Sequence, residues 1–492
     1  MRKVLLSVIL VGWSMLLYAQ YEGMEYYREQ DPAVQAKLEQ WQDLKFGFFV
    51  HWGPYSQKGY CESWTICSED VDWIQRDTMI SYDEYYRNYV GLKKTFNPVK
   101  FNPEYWADLA KEAGMKYFVF TTKHHDGFCM WDTKETDYKI TSSECPYHTA
   151  PNPDILKELF GAFQKRDFMI GAYFSKPDWN SPYYWSDRWQ HGDRNVNYKI
   201  KNHPWMWEKF CDFTYNQIRE LMTGYGKVDI IWLDGGWVAP ENRDQDIKMD
   251  RIVEMARGYQ PGLIVVDRWI GGKYENYRTP EQKIPEKPWD YPWETCMTMA
   301  NQWSYLPGDK YKSTRELVHY LVDIVSKGGN FLLNVGVDGN GEIPPEGIKI
   351  MKEMGVWMKV NGEAIYETRP IAPYKEAKIC YTKHKNNGKV YAIYLNDENE
   401  VNPPAQIMLY SINPAKGAKI SLLGYKGNLS YKRVGNGVLV TLPPSFVKNP
   451  ACEHAWTLCV SGMNEKEELK LLFFIKTHST AWLRWELIVR NR

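Results

Sequence analysis

Between about residues 45 and 340, short runs of almost uninterrupted apolar residues alternate with amphipathic stretches of helical period. The runs are KFGFFVHW (45–52), YFVFTT (117–122), FMIGAYFS (168–175), DIIWLD (229–234), LIVVDRW (263–269), WETCMT (293–298) and NFLLNVG (330–336). A strand with one wet face alternates polar and apolar residues. A run that is apolar at nearly every position reads as a strand covered on both sides, as in a parallel sheet. The intervening segments supply the covers. The stretch from Pro103 to Ala113 puts Trp106, Leu109, Ala110 and Ala113 on one face and stops at Gly114. The stretch 313–329 opens with the capping pair Ser313 and Glu316 and closes on two glycines. Strand–helix units repeated over this length close most economically as an α/β fold, a (β/α)8-like TIM barrel. An open doubly wound sheet is the alternative, but no Gly-x-Gly-x-x-Gly follows the first strand.

The texture changes after PEGIKIMKEMGVWMKVNGEAIY (345–366), which reads as a closing helix. VYAIYLN (390–396), AQIMLYS (405–411), KISLLGY (419–425), LSYKRVG (429–435) and GVLVTLP (437–443) are short strands parted by turn residues such as Asn387-Gly388 and Asn436-Gly437. This spacing predicts a C-terminal antiparallel β-sandwich. At the other end, Arg2 and Lys3 precede an apolar run that ends at Ala19, the pattern of a secretory signal peptide. The run is short of the ~20 residues that a spanning helix needs. The expected organisation is therefore a signal peptide (1–19), a catalytic barrel (20–365), a β-sandwich (366–461) and an unassigned tail (462–492). Export to a periplasm or the extracellular space is expected, ahead of a lysosome, with no membrane attachment after cleavage.

Charge and composition narrow the partners. The chain has 61 basic and 61 acidic residues, so it lacks the basic excess that a nucleic-acid or anionic-membrane partner demands. Its 22 Trp, 35 Tyr and 18 Phe fit either a large aromatic core or faces that stack on sugar rings. Nine cysteines leave at least one unpaired, and no Cys/His spacing reads as a zinc site. Disulfides are compatible with export, with Cys61/Cys67 and Cys452/Cys459 close in sequence; Cys129 and Cys296 sit in apolar stretches as buried thiols.

Barrel enzymes draw their active sites from the carboxyl ends of strands. Here those ends carry His51-Trp52-Gly53, Lys123-His124-His125-Asp126-Gly127, Tyr173 and Ser175, Asp234-Gly235-Gly236-Trp237, and Asp267-Arg268-Trp269; Glu294 lies in the sixth strand. Asp234 follows four apolar residues and precedes two glycines, which reads as a carboxylate at the barrel mouth or as a helix cap in the next loop. His124 and His125 are adjacent, so strand alternation sends them to different sides. With no third ligand at a characteristic spacing, they read as donors to sugar hydroxyls in preference to a metal pair.

Taken together and in order, KFGFFVHWGPYS, FTTKHHDGF, GAYFS..DW, IIWLDGGW, VVDRW, WETCMT...QWSY and GGNFLLNVG resemble the retaining α-L-fucosidases, glycoside hydrolase family 29, from about Lys45 to Tyr366. The resemblance implies a barrel followed by a sandwich, and hydrolysis of terminal α-L-fucose from fucosylated oligosaccharides or glycoconjugates, with retention and with no metal or cofactor. It implies Asp234 as nucleophile and Glu294, in the Trp-Glu-x-Cys block, as general acid/base. The family does not hold the acid/base at one sequence position, and Glu275 and Glu281 lie in the preceding loop. His51, His124, His125, Tyr173, Arg268 and Trp303 match positions expected to contact the sugar. Glu62 and Trp64 fall near the family's Ser-Glu-Trp segment, although the order here is Glu-Ser-Trp. Trp303-Ser304-Tyr305 replaces a more usual Trp-Gly-Tyr, expected to change local backbone freedom only. A non-catalytic fucose-binding protein on the same scaffold and a glycosidase of a related sugar, such as an α-L-galactosidase, are the rival readings.

Overall fold

The computed structural model describes Tyr21 and residues 24–463, apart from 70–73, 75 and 78. The signal peptide expected at 1–19, and the expected tail beyond residue 463, lie outside the described residues.

The apolar runs become seven parallel strands: β1 (Phe46–His51), β2 (Tyr117–Lys123), β3 (Met169–Ser175), β4 (Ile230–Asp234), β5 (Ile264–Asp267), β6 (Glu294–Thr298) and β7 (Asn330–Gly336). They form one sheet in the order β5-β4-β3-β2-β1-β7-β6. Nearly every strand residue is buried, as runs covered on both faces require. Among the described residues no eighth ladder joins β5 to β6. The stretch 275–281 crosses that gap on isolated bridges, Val266 to Glu275, Arg278 to Trp293 and Glu281 to Cys296. The barrel is therefore TIM-like, with seven regular staves and one irregular one.

Local chemistry starts the helices where the sequence places them. Asn102 accepts a hydrogen bond from the Tyr105 backbone N–H to cap Pro103–Glu112, and Asp154 does the same from Lys157 for Ile155–Gln164. The helix Pro32–Leu44 packs at the amino-terminal end of the strands. Its Trp41 stacks on Tyr277 at 4.0 Å and meets the edge of Tyr117, and its carbonyl accepts from Asn330. Phe49, Tyr173 and Trp232 join the same buried cluster. Much of the aromatic content is thus core.

The chain divides into two compact units. Ile284–Trp289 and Ser313–Gly329 belong to the second unit, with the residues from Glu353 onward. In this second unit β12 (Pro414–Leu422), β15 (Ala455–Met463), β10 (Val390–Leu395), β9 (Ile379–His384) and β8 (Thr368–Glu376) form one antiparallel sheet. A three-stranded sheet holds β11 (Gln406–Leu409), β14 (Gly437–Thr441) and β13 (Ser430–Val434). All nine cysteines are free thiols, so neither Cys61/Cys67 nor Cys452/Cys459 is bridged.

The loop after β2 shows what holds the barrel mouth in place. Lys123 is fully buried; its Nζ lies 2.8 Å from Asp178 Oδ2 and 2.9 Å from Gln217 Oε1, beneath the rings of Phe174 and Phe213. Gly127 has φ +82, and a Cβ there would fall 2.2 Å from Asp178 Oδ1, so the turn tolerates only glycine. Lys123→Met should leave Asp178 buried without its cation and cost about 3–5 kcal/mol. A large fall in the thermal unfolding midpoint checks this, and an unchanged midpoint contradicts it.

Candidate active site

The carboxyl ends of the strands open into a cavity of about 410 Å³. Its wall includes His51, Glu62, Trp64, His124, His125, Tyr173, Asp234, Arg268 and Trp303, so every sugar-contact residue matched in the sequence faces one space. Asp234 is the last residue of β4. Its Oδ2 accepts from Tyr173 Oη at 2.7 Å and its Oδ1 from Arg268 Nη1 at 2.8 Å. Burial alone pushes this carboxyl up, but the Arg268 guanidinium, with the Tyr173 hydroxyl and the Gly235 N–H, holds it down at about 2. Asp234 is ionised at neutral pH.

Arg268 is itself fixed on every side. Its guanidinium lies between the rings of Trp232 (4.4 Å) and Trp269 (4.2 Å), and Nε donates to Thr279 Oγ1. The remaining nitrogen, Nη2, donates to Glu281 Oε2 at 2.8 Å. One guanidinium thus joins Asp234 to Glu281, and both carboxylates line the cavity.

Glu294, matched by the resemblance to the acid/base, is placed elsewhere. It is the first residue of β6, paired with the first residue of β7, and so lies at the amino-terminal end of the strands, opposite the mouth. It has no exposed surface and is absent from the cavity wall. Tyr117 Oη (2.7 Å) and Trp232 Nε1 (3.2 Å) occupy its two oxygens, and burial pushes its carboxyl up to about 7. Glu275 is buried too; its Oε1 accepts from the backbone N–H of Trp269 and from Tyr21. Of the three glutamates, only Glu281 reaches the cavity. Carried on the irregular stave, it belongs to no hydrophobic run, which is why sequence pattern could not single it out.

The histidines are neutral ring donors and acceptors. His51 Nδ1 meets Asn334 Oδ1 at 2.8 Å, and His124 Nδ1 meets Ser63 Oγ at 2.5 Å. Burial lowers both rings below their ordinary range and takes His125 down to about 4. The two adjacent histidines do not point to different sides. β2 ends at Lys123, so strand alternation lapses, and the rings lie 4.3 Å apart in the same wall. With Asp234 they bring three ligand atoms within 4.8 Å of one another, a set that could close on a cation.

Glu62 is fully buried, with φ +39, and burial pushes its carboxyl up to about 7. Its Oε1 accepts from the Ser304 backbone N–H at 2.6 Å. The Ser304 hydroxyl in turn accepts from the Glu62 N–H and donates to the Tyr60 carbonyl, so serine here ties two loops together and does more than alter backbone freedom. No pattern in the sequence singles out Arg194, which comes from the long connection after β3 and lies over the rings of Trp64 (4.9 Å) and Trp237 (5.3 Å).

Two carboxylates separated by a single guanidinium in an aromatic-walled cavity mark an enzyme that cleaves glycosidic bonds, a glycoside hydrolase. Comparison with known proteins narrows the class. The family model for alpha-L-fucosidase matches residues 15–363, and that for the alpha-L-fucosidase C-terminal domain matches 374–461. Tissue alpha-L-fucosidase of Mus musculus is 31% identical over 452 residues, covering 87% of this chain and 92% of that protein. Alpha-L-fucosidase isoenzyme 1 from Paenibacillus thiaminolyticus has a similar structure, with TM-score 0.71, 28% identity, and coverage of 88% of this chain and 100% of that one. A GH29 alpha-L-fucosidase from Bacteroides thetaiotaomicron, solved as a trapped covalent intermediate with 2-fluoro-fucosyl fluoride, superposes with TM-score 0.68 at 27% identity, covering 89% and 98%. The chain belongs to the alpha-L-fucosidase family.

Arg268→Met should let the Asp234 carboxyl rise. The acidic limb of kcat/KM, which reports the free enzyme, then moves to higher pH, and kcat/KM at its optimum falls about 10²–10³-fold. A pH profile with p-nitrophenyl α-L-fucoside checks this; an unmoved acidic limb contradicts it.

Proposed function

We propose that the chain is an exo-acting, retaining α-L-fucosidase in which Asp234 is the nucleophile and Glu281 the general acid/base. The observation that carries the reading is the Arg268 guanidinium, held between two tryptophans and bonded at 2.8 Å to each carboxylate. Retaining enzymes hold their two carboxyl groups about 5–5.5 Å apart, and bonding to one guanidinium keeps this pair close together.

In the first displacement an Asp234 oxygen attacks the anomeric carbon of a terminal fucose. The bond from that carbon to the aglycone oxygen breaks, and Glu281 delivers its proton to the departing oxygen. In the second, Glu281 takes a proton from water, whose oxygen attacks the same carbon and expels Asp234. Two inversions give net retention. To act, Glu281 must turn from Arg268 toward the leaving oxygen and carry a proton there as the carboxylic acid. Its side chain is 30% exposed, against 15% for Asp234, so it is the freer of the pair to do so. Catalytic contacts are often completed only once substrate is bound.

The rest of the wall suits fucose. Neutral imidazoles at His51, His124 and His125 can donate to or accept from ring hydroxyls, and buried Glu62 offers a further polar partner. Phe49, Trp232 and Trp303 supply apolar surface for the methyl group at C6. One methyl discriminates by only about 1–3 kcal/mol, so the hydroxyl-reading groups must carry most of the selectivity.

Asp234→Gly should abolish turnover, with partial recovery on adding azide; undiminished turnover would remove Asp234 from the mechanism. Glu281→Gln should depress hydrolysis of natural fucosides far more than that of aryl fucosides with good leaving groups, because only the former need the proton. Glu294→Gln should affect both substrates alike. The reverse pattern between the two glutamines would return the acid role to Glu294.

A further inference from the structure

The connection between β3 and the helix Pro204–Gly224 builds a second depression, of about 840 Å³, beside the catalytic cavity. The segment 193–196 contributes to both linings. Arg194 faces the catalytic cavity, while Asp193 and Val196, from the same segment, line the depression. Consecutive Cα atoms are only about 3.8 Å apart, so one short segment contributes side chains to both spaces.

This segment is held rigidly. The Arg194 carbonyl accepts from three donors, Trp179 Nε1, Tyr184 Oη and Trp237 Nε1, each at 3.1 Å. Trp185 Nε1 donates to the Asn195 carbonyl at 2.9 Å, and Gln245 accepts from the Val196 N–H and donates to Asn195 Oδ1. Five side chains are thus spent on fixing the backbone of three residues.

The depression also carries the half-buried indole of Trp189, packed on His203 (4.8 Å) and Tyr198 (5.6 Å). Four of its charged groups are matched in pairs, Asp193 with Arg243 and Lys201 with Asp244, and Lys199 adds one positive charge. An aromatic face beside amides and mostly paired charges fits hydroxyl-rich rings, and one excess cation is far from the basic stripe that a nucleic acid demands.

We propose that this depression is a leaving-group subsite, in which Trp189 stacks on a neutral sugar of the glycan that carries the terminal fucose. The proposal rests on the fucosidase reading of the neighbouring cavity and adds to it an extended, uncharged oligosaccharide as the preferred substrate class.

Two measurements test it with the full chain. The first compares wild type and Trp189→Ala on p-nitrophenyl α-L-fucoside, which fills only the catalytic cavity, and on neutral fucosylated pentasaccharides of α1,2, α1,3, α1,4 and α1,6 linkage. Trp189 does not line the catalytic cavity. The substitution should lower kcat/KM about tenfold on at least one pentasaccharide, mainly through KM, and leave the aryl fucoside within about twofold. Equal losses on both substrate types, or no loss on any pentasaccharide, overturns the subsite. The second follows binding of the same pentasaccharides stripped of fucose, by ligand-observed NMR. Binding to wild type that is lost in Trp189→Ala supports the subsite even if no fucoside is hydrolysed, an outcome that would instead sink the fucosidase reading. No binding to wild type overturns the subsite while leaving that reading intact.

Discussion

A guanidinium pressed between two indole rings can neither turn nor lose its charge. Arg268 is in that position, with Trp232 and Trp269 on its faces and Thr279, Asp234 and Glu281 on its nitrogens. Its charge outweighs the burial that would otherwise protonate Asp234. Its fork sets the spacing of the two carboxylates that face the sugar. Each tryptophan is tied in turn to a buried glutamate, Trp232 through its indole Nε1 to Glu294 and Trp269 through its backbone N–H to Glu275. The carboxylates outside the cavity therefore hold the clamp that holds the carboxylates inside it.

The clamp is possible because the barrel is irregular where it matters. Had 275–281 formed an eighth regular strand, its side chains would alternate between the barrel interior and the outer cover. Carried on isolated bridges, the stretch places Glu275, Thr279 and Glu281 at separate points around Arg268. Trp269 takes φ +63, a conformation that costs a bulky residue energy, next to the arginine it covers. Gly236 leaves the space, since a Cβ there would come within 3.0 Å of Trp269 Cβ and 2.9 Å of the Arg268 carbonyl oxygen.

The regular parts of this arrangement were legible in the sequence. Seven apolar runs became seven parallel strands, and His51, Tyr173 and Asp234 stand at or near their carboxyl ends because a strand's length and direction fix where its last residues point. Glu294 shows the limit. The run WETCMT already put it near the start of a strand, and the motif match spoke against that position; Glu294 begins β6. His124 and His125 show another, since alternation holds only while a ladder continues and theirs stops one residue earlier. Glu281 and Arg194 come from long connections without hydrophobic period, where position is set by hydrogen bonds among residues far apart in sequence. In the second unit five strands were readable from their turns, whereas β8, β9 and β15 were not singled out.

The pairing of Asp234 with Glu281 is open to one direct measurement. The Glu281→Gln variant is incubated with 2-fluoro-fucosyl fluoride, whose good leaving group needs no acid and whose fluorine slows release, and the digested protein is mapped by tandem mass spectrometry. The account predicts a fluorofucosyl ester on Asp234 that accumulates and turns over slowly. An adduct on any other carboxylate, or rapid turnover of the Asp234 ester in this variant, would contradict it.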